Sequence, residues 1–440
     1  MLESISSWMW SPFLVFIYLE IGILFIILTR NVVWSGIRRA LVGLWAGRKS
    51  EATGDGHVSQ FNGFFAALAA TVGVGNLAGV ATAIHLGGPG ALFWMWVSAI
   101  LGMSFRMCSV YWAVRLAKDN DDPKLFATPM LYIIKMLSKS WKPLAIALAF
   151  LLMANGMVMA NLIQSNSVAQ AMTGETGSAN LIIALLIAAA VGAVIIGGMK
   201  GILTFSSKIA PWMIVAYLLA GWGILASDPV STLKALGSVF YYAFTPYAVA
   251  GGVAGYAILE TMQYGISRGV FSHGSGVGFA TFWQGANDGS PAQSAFLAAA
   301  VPLVDTILVC TTTGLVVLLG DMWLEETGAF LTVSSFEHFL GEGGLLFISA
   351  CLVVFAFTTM ISWAHFGERC FEYLGGTNII GFRWFFVFVA FCGPFLPLAS
   401  LWSLGDIIIG SMLIVHLIPL TYIVVRHAKR MRADLSSENI

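Results

Sequence analysis

A short run near the start of the chain combines two glycines with hydroxyl and amide side chains. Thr71-Val72-Gly73-Val74-Gly75-Asn76 interrupts an apolar stretch, Ala66 to Ile84, that is otherwise long enough to cross a bilayer. Hydrocarbon offers no partners for backbone N–H and C=O groups, so an unwound segment at this depth must lie inside protein or beside a polar cavity. Its freed carbonyls can bind a small cation, and the N–H groups of the next half-helix can bind a carboxylate.

The composition places this candidate binding site in a membrane protein. Of the 440 residues, 58% are hydrophobic and 10% are charged, with a mean hydropathy of +0.85, whereas soluble domains carry about 25% charged residues. We interpret the chain as an all-α polytopic membrane protein with about eleven transmembrane helices. The predicted spans are 11–30, 59–84, 89–117, 143–167, 179–199, 204–226, 246–268, 291–319, 343–365, 380–399 and 405–426.

Basic residues are concentrated at alternate connections between these spans, and such ends are expected to face the cytoplasm. Arg268, Arg369 and Arg383 are counted among them. The N-terminus is then outside and the C-terminus cytoplasmic, as eleven crossings also require. The basic clusters are explained by topology and by attraction to anionic lipid headgroups, so we expect a bilayer and no nucleic acid as partner.

The ten spans after the first divide into two sets of five. Five is an odd number, so the second set enters the membrane from the opposite side, and a shared architecture is an inverted repeat with a site near the midplane. We predict a second break at Gly251-Gly252-Val253-Ala254-Gly255, with close helix packing of small residues as the alternative. The predicted units are 1–58 (extra helix and basic cytoplasmic segment), 59–226 (first repeat), 246–426 (second, inverted repeat) and 427–440 (cytoplasmic tail).

Several longer runs resemble the alanine/glycine:cation symporters, also called sodium:alanine symporters or amino acid carrier proteins. The strongest is TVGVGNLAGVATAIHLGGPGALFWMWVSAILGM, Thr71 to Met103. Further matches follow in order: IQSNSVAQAM (163–172), GGMKGI (197–202), AFTPYAVAGGVAG (243–255), SRGVFS (267–272), VDTILVCTTTGLVVLL (304–319), FAFTTMISW (355–363), GERCFEYL (367–374) and LWSLGDIIIGSM (401–412).

This resemblance implies the leucine-transporter-type fold, a five-plus-five inverted repeat with one extra N-terminal helix. It also implies sodium-coupled uptake of small neutral amino acids across a prokaryotic plasma or inner membrane. Na⁺ would be the coupling ion and no organic cofactor is expected, while the oligomeric state stays open.

The chain also departs from the family pattern. Ser272-His273-Gly274-Ser275-Gly276 replaces a usual Ser-Asn-Glu-Ala-Gly, Arg106 replaces a Lys, and Val415-His416 replaces a Pro-Asn. We expect several of these positions to lie on the cytoplasmic side, where they would alter gating, coupling stoichiometry or substrate choice and leave the binding site intact.

An amino-acid zwitterion needs partners for a carboxylate, an ammonium and a side chain. We expect the carboxylate at the N–H groups around the first break, and Gln164 either hydrogen-bonds the substrate or joins neighbouring helices. Asn76 is a ligand or a helix cap. Trp363, with Val253 and Tyr256, is expected to line the pocket for the substrate side chain. The predicted substrate-binding residues are Thr71, Gly73, Gly75, Asn76, Gln164, Val253, Tyr256, Thr359 and Trp363.

Hydroxyl oxygens on a later span are candidates for cation binding, since hard cations prefer oxygen ligands. Thr358, Thr359 and Ser362, completed by the carbonyls of Ala69 and Val72, resemble the second sodium site of this fold. The alternative for a threonine is a bond to its own helix. Asp305 either contributes to a cation site or pairs with Arg106.

Ionisable side chains within spans are costly and usually functional. Glu260 is predicted to contact the substrate ammonium or an interior basic group, and Asp406 to cap its helix. His365 and His416 either exchange protons near neutral pH or are structural. These groups make proton coupling the alternative to sodium, and the altered 272–276 motif allows a non-transporting amino acid sensor. The chain carries no His-Glu-x-x-His run, Gly-x-Ser-x-Gly elbow or phosphate-binding loop, so we expect no enzyme.

Overall fold

The computed structural model describes residues 1–30, 32–46, 58–117, 119–173, 181–246, 258–287 and 289–437. Within these ranges the chain is helical apart from its connections and one isolated bridge between Val58 and Asn287. The predicted break Gly251–Gly255, with Val253 and Tyr256, lies outside the described residues. The helices are α1 (Leu2–Met9), α2 (Pro12–Thr29), α3 (Val32–Ala46), α4 (Gln60–Thr71), α5 (Val80–Gly87), α6 (Ala91–Ala117), α7 (Met130–Met136), α8 (Lys142–Met157), α9 (Ile163–Thr173), α10 (Leu181–Ile195), α11 (Met199–Ser227), α12 (Pro229–Tyr242), α13 (Ile258–His273), α14 (Thr281–Gln284), α15 (Pro291–Pro302), α16 (Thr311–Gly320), α17 (Gly328–Tyr373), α18 (Ile379–Cys392) and α19 (Leu398–Ser437).

Several of these helices are long and apolar enough to cross a membrane. In the described ranges there are seven, or eight if the bent pair Gln60–Thr71 and Gly75–Gly87 is one span. The shorter apolar helices Leu181–Ile195 and Ile379–Phe395 fall below that length. A polytopic all-helical chain is therefore confirmed, while the count of eleven spans stays a prediction. The seven are Leu2–Thr29, Ala91–Ala117, Lys139–Met172, Phe205–Ser227, Pro291–Gly320, Gly328–Tyr373 and Leu398–Ser436.

The first break is present where the glycines predict it. Helix α4 ends because Val72 adopts an extended conformation (φ −70°, ψ 100°), although its N–H still bonds the Leu68 carbonyl at 2.7 Å. The chain becomes helical again at Gly75, first as a π-helical turn to Gly79 and then as α5. The two halves meet at an angle of 52°. The span therefore bends at the glycines that the sequence places within it.

A break follows α13, here named the second break, at glycines that were not singled out from the sequence as a break. Gly274 (φ +57°), Gly276 (φ +91°) and Gly278 (φ +100°) adopt left-handed conformations between α13 and α14. Residues other than glycine rarely adopt such angles, so these alternate glycines end the helix. The run 272–276 was expected on the cytoplasmic side as a gating element. The structure places this run at the end of α13 and the start of the unwound segment, with Ser272 beside Gly75 of the first break, and its gating role stays a prediction.

The two broken helices pack against each other in opposite directions. Helix α5 contacts α13, and α4 contacts α14, so each first half faces the other's second half. The fit is tight at the first break, where a Cβ added to Gly75 would lie 3.0 Å from the Phe271 ring and 3.2 Å from the Ser272 Cα. Glycine at 75 therefore lets the breaks meet.

Helix α17 supplies the wall behind the first break. Gly341 (φ +63°, ψ −155°) divides it, and the part after Gly341 contains the predicted span 343–365. This helix contacts α4, α8 and α9. Thr358, Thr359, Ser362 and Trp363 are buried on it, so the hydroxyl-rich turn is held against the broken helix.

Candidate functional site

An internal cavity lies between the two breaks. Its volume is about 30 Å³, room for one or two water molecules, so a larger solute requires the lining to move. Five predicted substrate-binding residues line it: Thr71, Gly75, Gln164, Thr359 and Trp363. The lining is completed by Ala70, Asn155, Met159, Ala160, Val270, Phe271, Ser272, Gly274, Val277, Phe279 and Ile409.

Three π-helical turns adjoin this cavity. They span Gly75–Gly79, Val158–Leu162 and Leu303–Cys310. A π turn inserts an extra residue into a helix and is frequent at functional sites. The first two contribute lining residues, and the third carries Asp305, which bonds to the first break. Local helix geometry therefore departs from the α form where polar groups converge.

The backbone N–H groups of the first break are aimed at side-chain oxygens. Gly73 N–H donates to Asn76 Oδ1 at 2.9 Å, and Val74 N–H donates to Gln164 Oε1 at 3.0 Å. Gln164 also donates from Nε2 to the Met159 carbonyl at 3.3 Å. Asn76 thus closes the break in the manner of a cap, and Gln164 joins two helices at the cavity wall. Thr71 bonds the carbonyls of its own helix, at 3.0 and 3.1 Å.

A buried carboxylate stands behind the first break. Asn76 Nδ2 donates to Asp305 Oδ1 at 2.8 Å and to the Asp305 carbonyl at 3.0 Å. The hydroxyls of Ser272 and Thr306 each donate to Asp305 Oδ2 at 2.8 Å. Asp305 is 0% exposed. A buried charge held only by neutral donors is costly, so this carboxylate is suited to receive a cation or a proton.

Arg106 does not form the ion pair that was one alternative for Asp305. Its guanidinium donates to the carbonyls of Ala298 (3.1 Å) and His273 (2.8 Å) and to Gln284 Oε1 (3.3 Å). No ion pair within 4.0 Å joins Arg106 to Asp305 in the described chain. Arg106 therefore connects α6 to both ends of the second break, whereas Asp305 contacts the first break.

The hydroxyls on α17 behave differently from one another. Thr359 donates to the carbonyls of Ala69 (3.3 Å) and Val72 (3.4 Å), so three predicted cation ligands meet across α4 and α17. Thr358 instead bonds the Phe355 carbonyl of its own helix at 3.1 Å. The Ser362 Oγ is buried without a partner in the described residues. Trp363 Nε1 donates to the Ala70 carbonyl at 3.3 Å and holds the same stretch of α4.

Two predictions for ionisable residues are wrong. Glu260 is exposed on the first turn of α13 and does not line the cavity. Asp406 does not cap its helix but accepts two hydrogen bonds from Arg268, at 2.6 and 3.0 Å. Ser6 and Trp10 also bond Asp406, so Arg268 lies at the same end of the bundle as the N-terminus. The predictions of a cytoplasmic Arg268 and an outside N-terminus therefore exclude each other.

The two histidines singled out from the sequence, His365 and His416, have packing partners. His365 stacks on Trp283, with ring centroids 4.7 Å apart. His416 Nε2 lies 2.6 Å from the Tyr132 hydroxyl, and its Nδ1 lies 2.6 Å from the Gly276 carbonyl. His416 therefore ties α19 to the second break, which favours the structural alternative.

Sequence reasoning missed the contribution of the second break and of α8 to the cavity. Phe271 and Phe279 flank the glycines of the break, and Asn155 and Met159 come from the helix before Gln164. The spacing of Gly274, Gly276 and Gly278 was an available signal, since alternate glycines are typical of irregular backbone. Asn155 gave no signal beyond being an amide in an apolar span.

The architecture defines a class, the polytopic all-helical membrane proteins. The fold is similar to that of MhsT, solved in complex with L-phenylalanine, with a TM-score of 0.53 and 13% identity over 88% of this chain and 100% of that one. At this identity the likeness concerns the fold alone.

The family is fixed by sequence. A model described as the sodium:alanine symporter family matches residues 1–438, and the chain belongs to that family of membrane transporters. It is 36% identical to the sodium/alanine symporter AgcS of Methanococcus maripaludis, over 96% of this chain and 93% of that protein. It is 30% identical to the putative sodium/proton-dependent alanine carrier protein YrbD of Bacillus subtilis, over 94% and 88%.

Proposed function

We propose that this chain takes up a small neutral amino acid of the alanine or glycine class together with Na⁺, by alternating access. The observation that carries the proposal is the pair of N–H groups at Gly73 and Val74, which point to side-chain oxygens beside a buried cavity. A substrate carboxylate is the stronger acceptor for such donors at the positive end of a half-helix. It would take the place of the Gln164 amide oxygen.

Two groups of oxygen atoms suit Na⁺, which is cargo here. One combines the carbonyls of Ala69 and Val72 with the hydroxyls of Thr359 and Ser362, and Thr358 adjoins it. The other surrounds Asp305, where the hydroxyl oxygens of Ser272 and Thr306 lie within hydrogen-bond distance of the carboxylate and Asn76 donates its amide N–H to it. Hard cations favour such oxygen sets, and a Na⁺ beside Asp305 would balance its buried charge.

The five-plus-five inverted repeat accounts for the paired breaks. Each of the eleven predicted spans overlaps a helix of the described chain. The antiparallel packing of α4–α5 with α13–α14 is what an inverted repeat requires of the first helices of its halves. We therefore place the repeats at 59–226 and 246–426, after the extra N-terminal helix. The N-terminus is outside and the C-terminus cytoplasmic, in a prokaryotic plasma or inner membrane.

Contacts on both sides of the cavity are suited to serve as its gates. Towards the N-terminal side, Phe271 packs on Trp402 with centroids 4.9 Å apart, and the Arg268–Asp406 pair lies beyond. Towards the other side, Phe279 packs on Trp363 at 4.8 Å. Alternating access requires that these two barriers open in turn.

Uptake into proteoliposomes tests the proposal. Labelled alanine and glycine are supplied under an inward Na⁺ gradient, under an inward H⁺ gradient, and with neither. We expect accumulation with the Na⁺ gradient, abolished when K⁺ replaces Na⁺. Accumulation driven by the H⁺ gradient alone would reject sodium coupling in favour of the proton-coupled alternative, which the buried Asp305 carboxylate supports. Binding without flux under either gradient would favour a sensor.

A further inference from the structure

Asn155 presents an unsatisfied buried amide to the cavity. It lies near the end of α8, one turn before the π turn Val158–Leu162, and is 4% exposed. Its Oδ1 has no hydrogen-bond partner in the described chain. The residue nevertheless lines the same cavity as Gly75 and Gln164. Buried amide oxygens are normally paired because desolvation without a partner is costly, so this one calls for a partner that the polypeptide does not supply.

The cavity is the space from which a ligand can supply a partner to this amide. Other polar lining groups already have hydrogen-bond partners within the protein. Gln164 bonds the Val74 N–H and the Met159 carbonyl, and Thr359 bonds the carbonyls of Ala69 and Val72. Gln164 and Asn155 line the same cavity of about 30 Å³, so both amides border one small space. Met159 and Ala160 line the wall between them. A ligand held by its carboxylate at the first break would extend its side chain along this wall.

We propose that Asn155 is a specificity residue that accepts a hydrogen bond from the substrate side chain. The favoured substrates are then neutral amino acids with a side-chain donor, either a hydroxyl or a carboxamide, over apolar ones of the same shape. This inference rests on the proposed function, since it assigns the far end of the same site. When a substrate lacks the matching donor, the buried amide oxygen of the site stays unpaired. A site of this kind therefore discriminates strongly against substrates without that donor.

The experiment compares isosteric substrate pairs on the purified wild-type protein. Serine is matched with 2-aminobutyrate, and asparagine with leucine, because each pair differs in hydrogen bonding at nearly constant shape. Dissociation constants are measured by calorimetry in Na⁺, with alanine as the reference ligand. We expect at least one polar member to bind about tenfold or more tightly than its isostere, as expected when a buried acceptor loses its partner. The pair whose two members differ in affinity shows whether the preferred side-chain donor is a hydroxyl or a carboxamide.

The variant Asn155→Leu removes the amide at constant shape. It should erase the preference within the discriminating pair, so that the ratio of the two dissociation constants falls from about tenfold or more to about one. Asn161→Leu is the matched control, since Asn161 is a buried amide that donates to the Phe386 carbonyl and does not line the cavity. It should keep the preference, although it loses stability.

The outcomes that overturn the inference are distinct from those that overturn the proposed function. Sodium-dependent binding of alanine with no separation in either isosteric pair rejects the role of Asn155 alone. An equal loss for both members of a pair in Asn155→Leu also rejects it, because a structural role predicts that result. The absence of any sodium-dependent amino acid binding by the wild type overturns both. The wild-type comparison decides the question even if Asn155→Leu does not fold.

Discussion

The amide of Asn76 is 2.8 Å from the carboxylate of Asp305, and this contact joins the first broken helix to the π turn of Pro291–Gly320. Through its other end, the same amide accepts the N–H of Gly73. One side chain therefore connects the shape of the break to a buried negative charge. Any ligand that changes the charge at Asp305 acts directly on the backbone that would bind the substrate.

Asp305→Asn is expected to uncouple amino acid binding from Na⁺. The amide keeps an acceptor for Asn76 but removes the charge that would balance a bound cation. We expect the Na⁺ concentration for half-maximal alanine binding to rise about tenfold or more, equivalent to about 1.4 kcal/mol. Thermal-shift titration with NaCl at constant ionic strength measures it. Asp228→Asn, at an exposed helix cap, is the control. An unchanged Na⁺ dependence in Asp305→Asn would show that the carboxylate binds no coupling ion.

Thr359→Ala is expected to weaken Na⁺ binding more than Thr358→Ala. The two threonines are adjacent and both buried, but only Thr359 reaches the carbonyls of Ala69 and Val72. Removing its hydroxyl deletes a ligand, whereas Thr358 gives up a bond within its own helix. Sodium titration of both variants, compared at equal melting temperatures, measures the difference in their Na⁺ affinity. Equal effects would place the cation elsewhere on α17.

Gly73→Ala should abolish amino acid binding. A Cβ at this position would lie 2.5 Å from Thr359 Oγ1 and 3.2 Å from Gln164 Oε1, so the first break must move away from α17. Overpacking of this kind costs about 1–3 kcal/mol, which should lower the melting temperature without unfolding the chain. Gly223→Ala is the matched control because nothing lies within 4 Å of its added Cβ. Normal alanine affinity in Gly73→Ala would contradict the placement of the site.

The Arg268–Asp406 pair is expected to stabilise the closed arrangement on the N-terminal side. The side chains are 5% and 11% exposed, and the Arg268 guanidinium lies 4.5 Å from the Trp402 ring centroid. Breaking a buried pair by removing one partner costs about 3–5 kcal/mol. We expect Arg268→Met and Asp406→Asn each to lower the melting temperature, and the double variant to lose less than their sum.

The more exposed pair Arg369–Glu372, with side chains 21% and 29% exposed, is the comparison for the double-mutant cycle of Arg268 and Asp406. Its disruption should cost less than about 1 kcal/mol. Strict additivity of the Arg268 and Asp406 substitutions would show that the pair contributes no coupling energy.

Local sequence signals located the first break because its cause is local. The glycines and the amide at 73–76 interrupt an apolar stretch, and hydrocarbon forbids such an interruption unless protein covers it. The hydroxyl turn at 358–362 and Gln164 were also found from residue type, since polar groups in apolar spans need partners. For Gln164 the structure shows the contacts that join neighbouring segments at the wall of the cavity, and its bond to a substrate stays a prediction.

The second break shows where local signals fail. Gly274, Gly276 and Gly278 were not singled out from the sequence as a break, because composition alone does not show whether a glycine-rich run unwinds beside a site. This depends on packing, because Phe271 and Ser272 meet Gly75 only when α13 lies along α5. The partners of Asp305 and Arg106 were left open, and that of Asp406 was predicted wrongly, for the same reason. Each joins elements that are far apart in the chain.

The sequence by itself determined the membrane class, the family, the unwound segment Thr71–Asn76 and the residue types available to a zwitterion and a cation. Only the tertiary structure decided that Ser272 and Asp305 stand behind that segment and that Asn155 shares its cavity. The physical reason is that apolar periodicity specifies which stretches enter the bilayer. The partner of each buried polar group is selected by the packing of whole helices, which satisfies all such groups together.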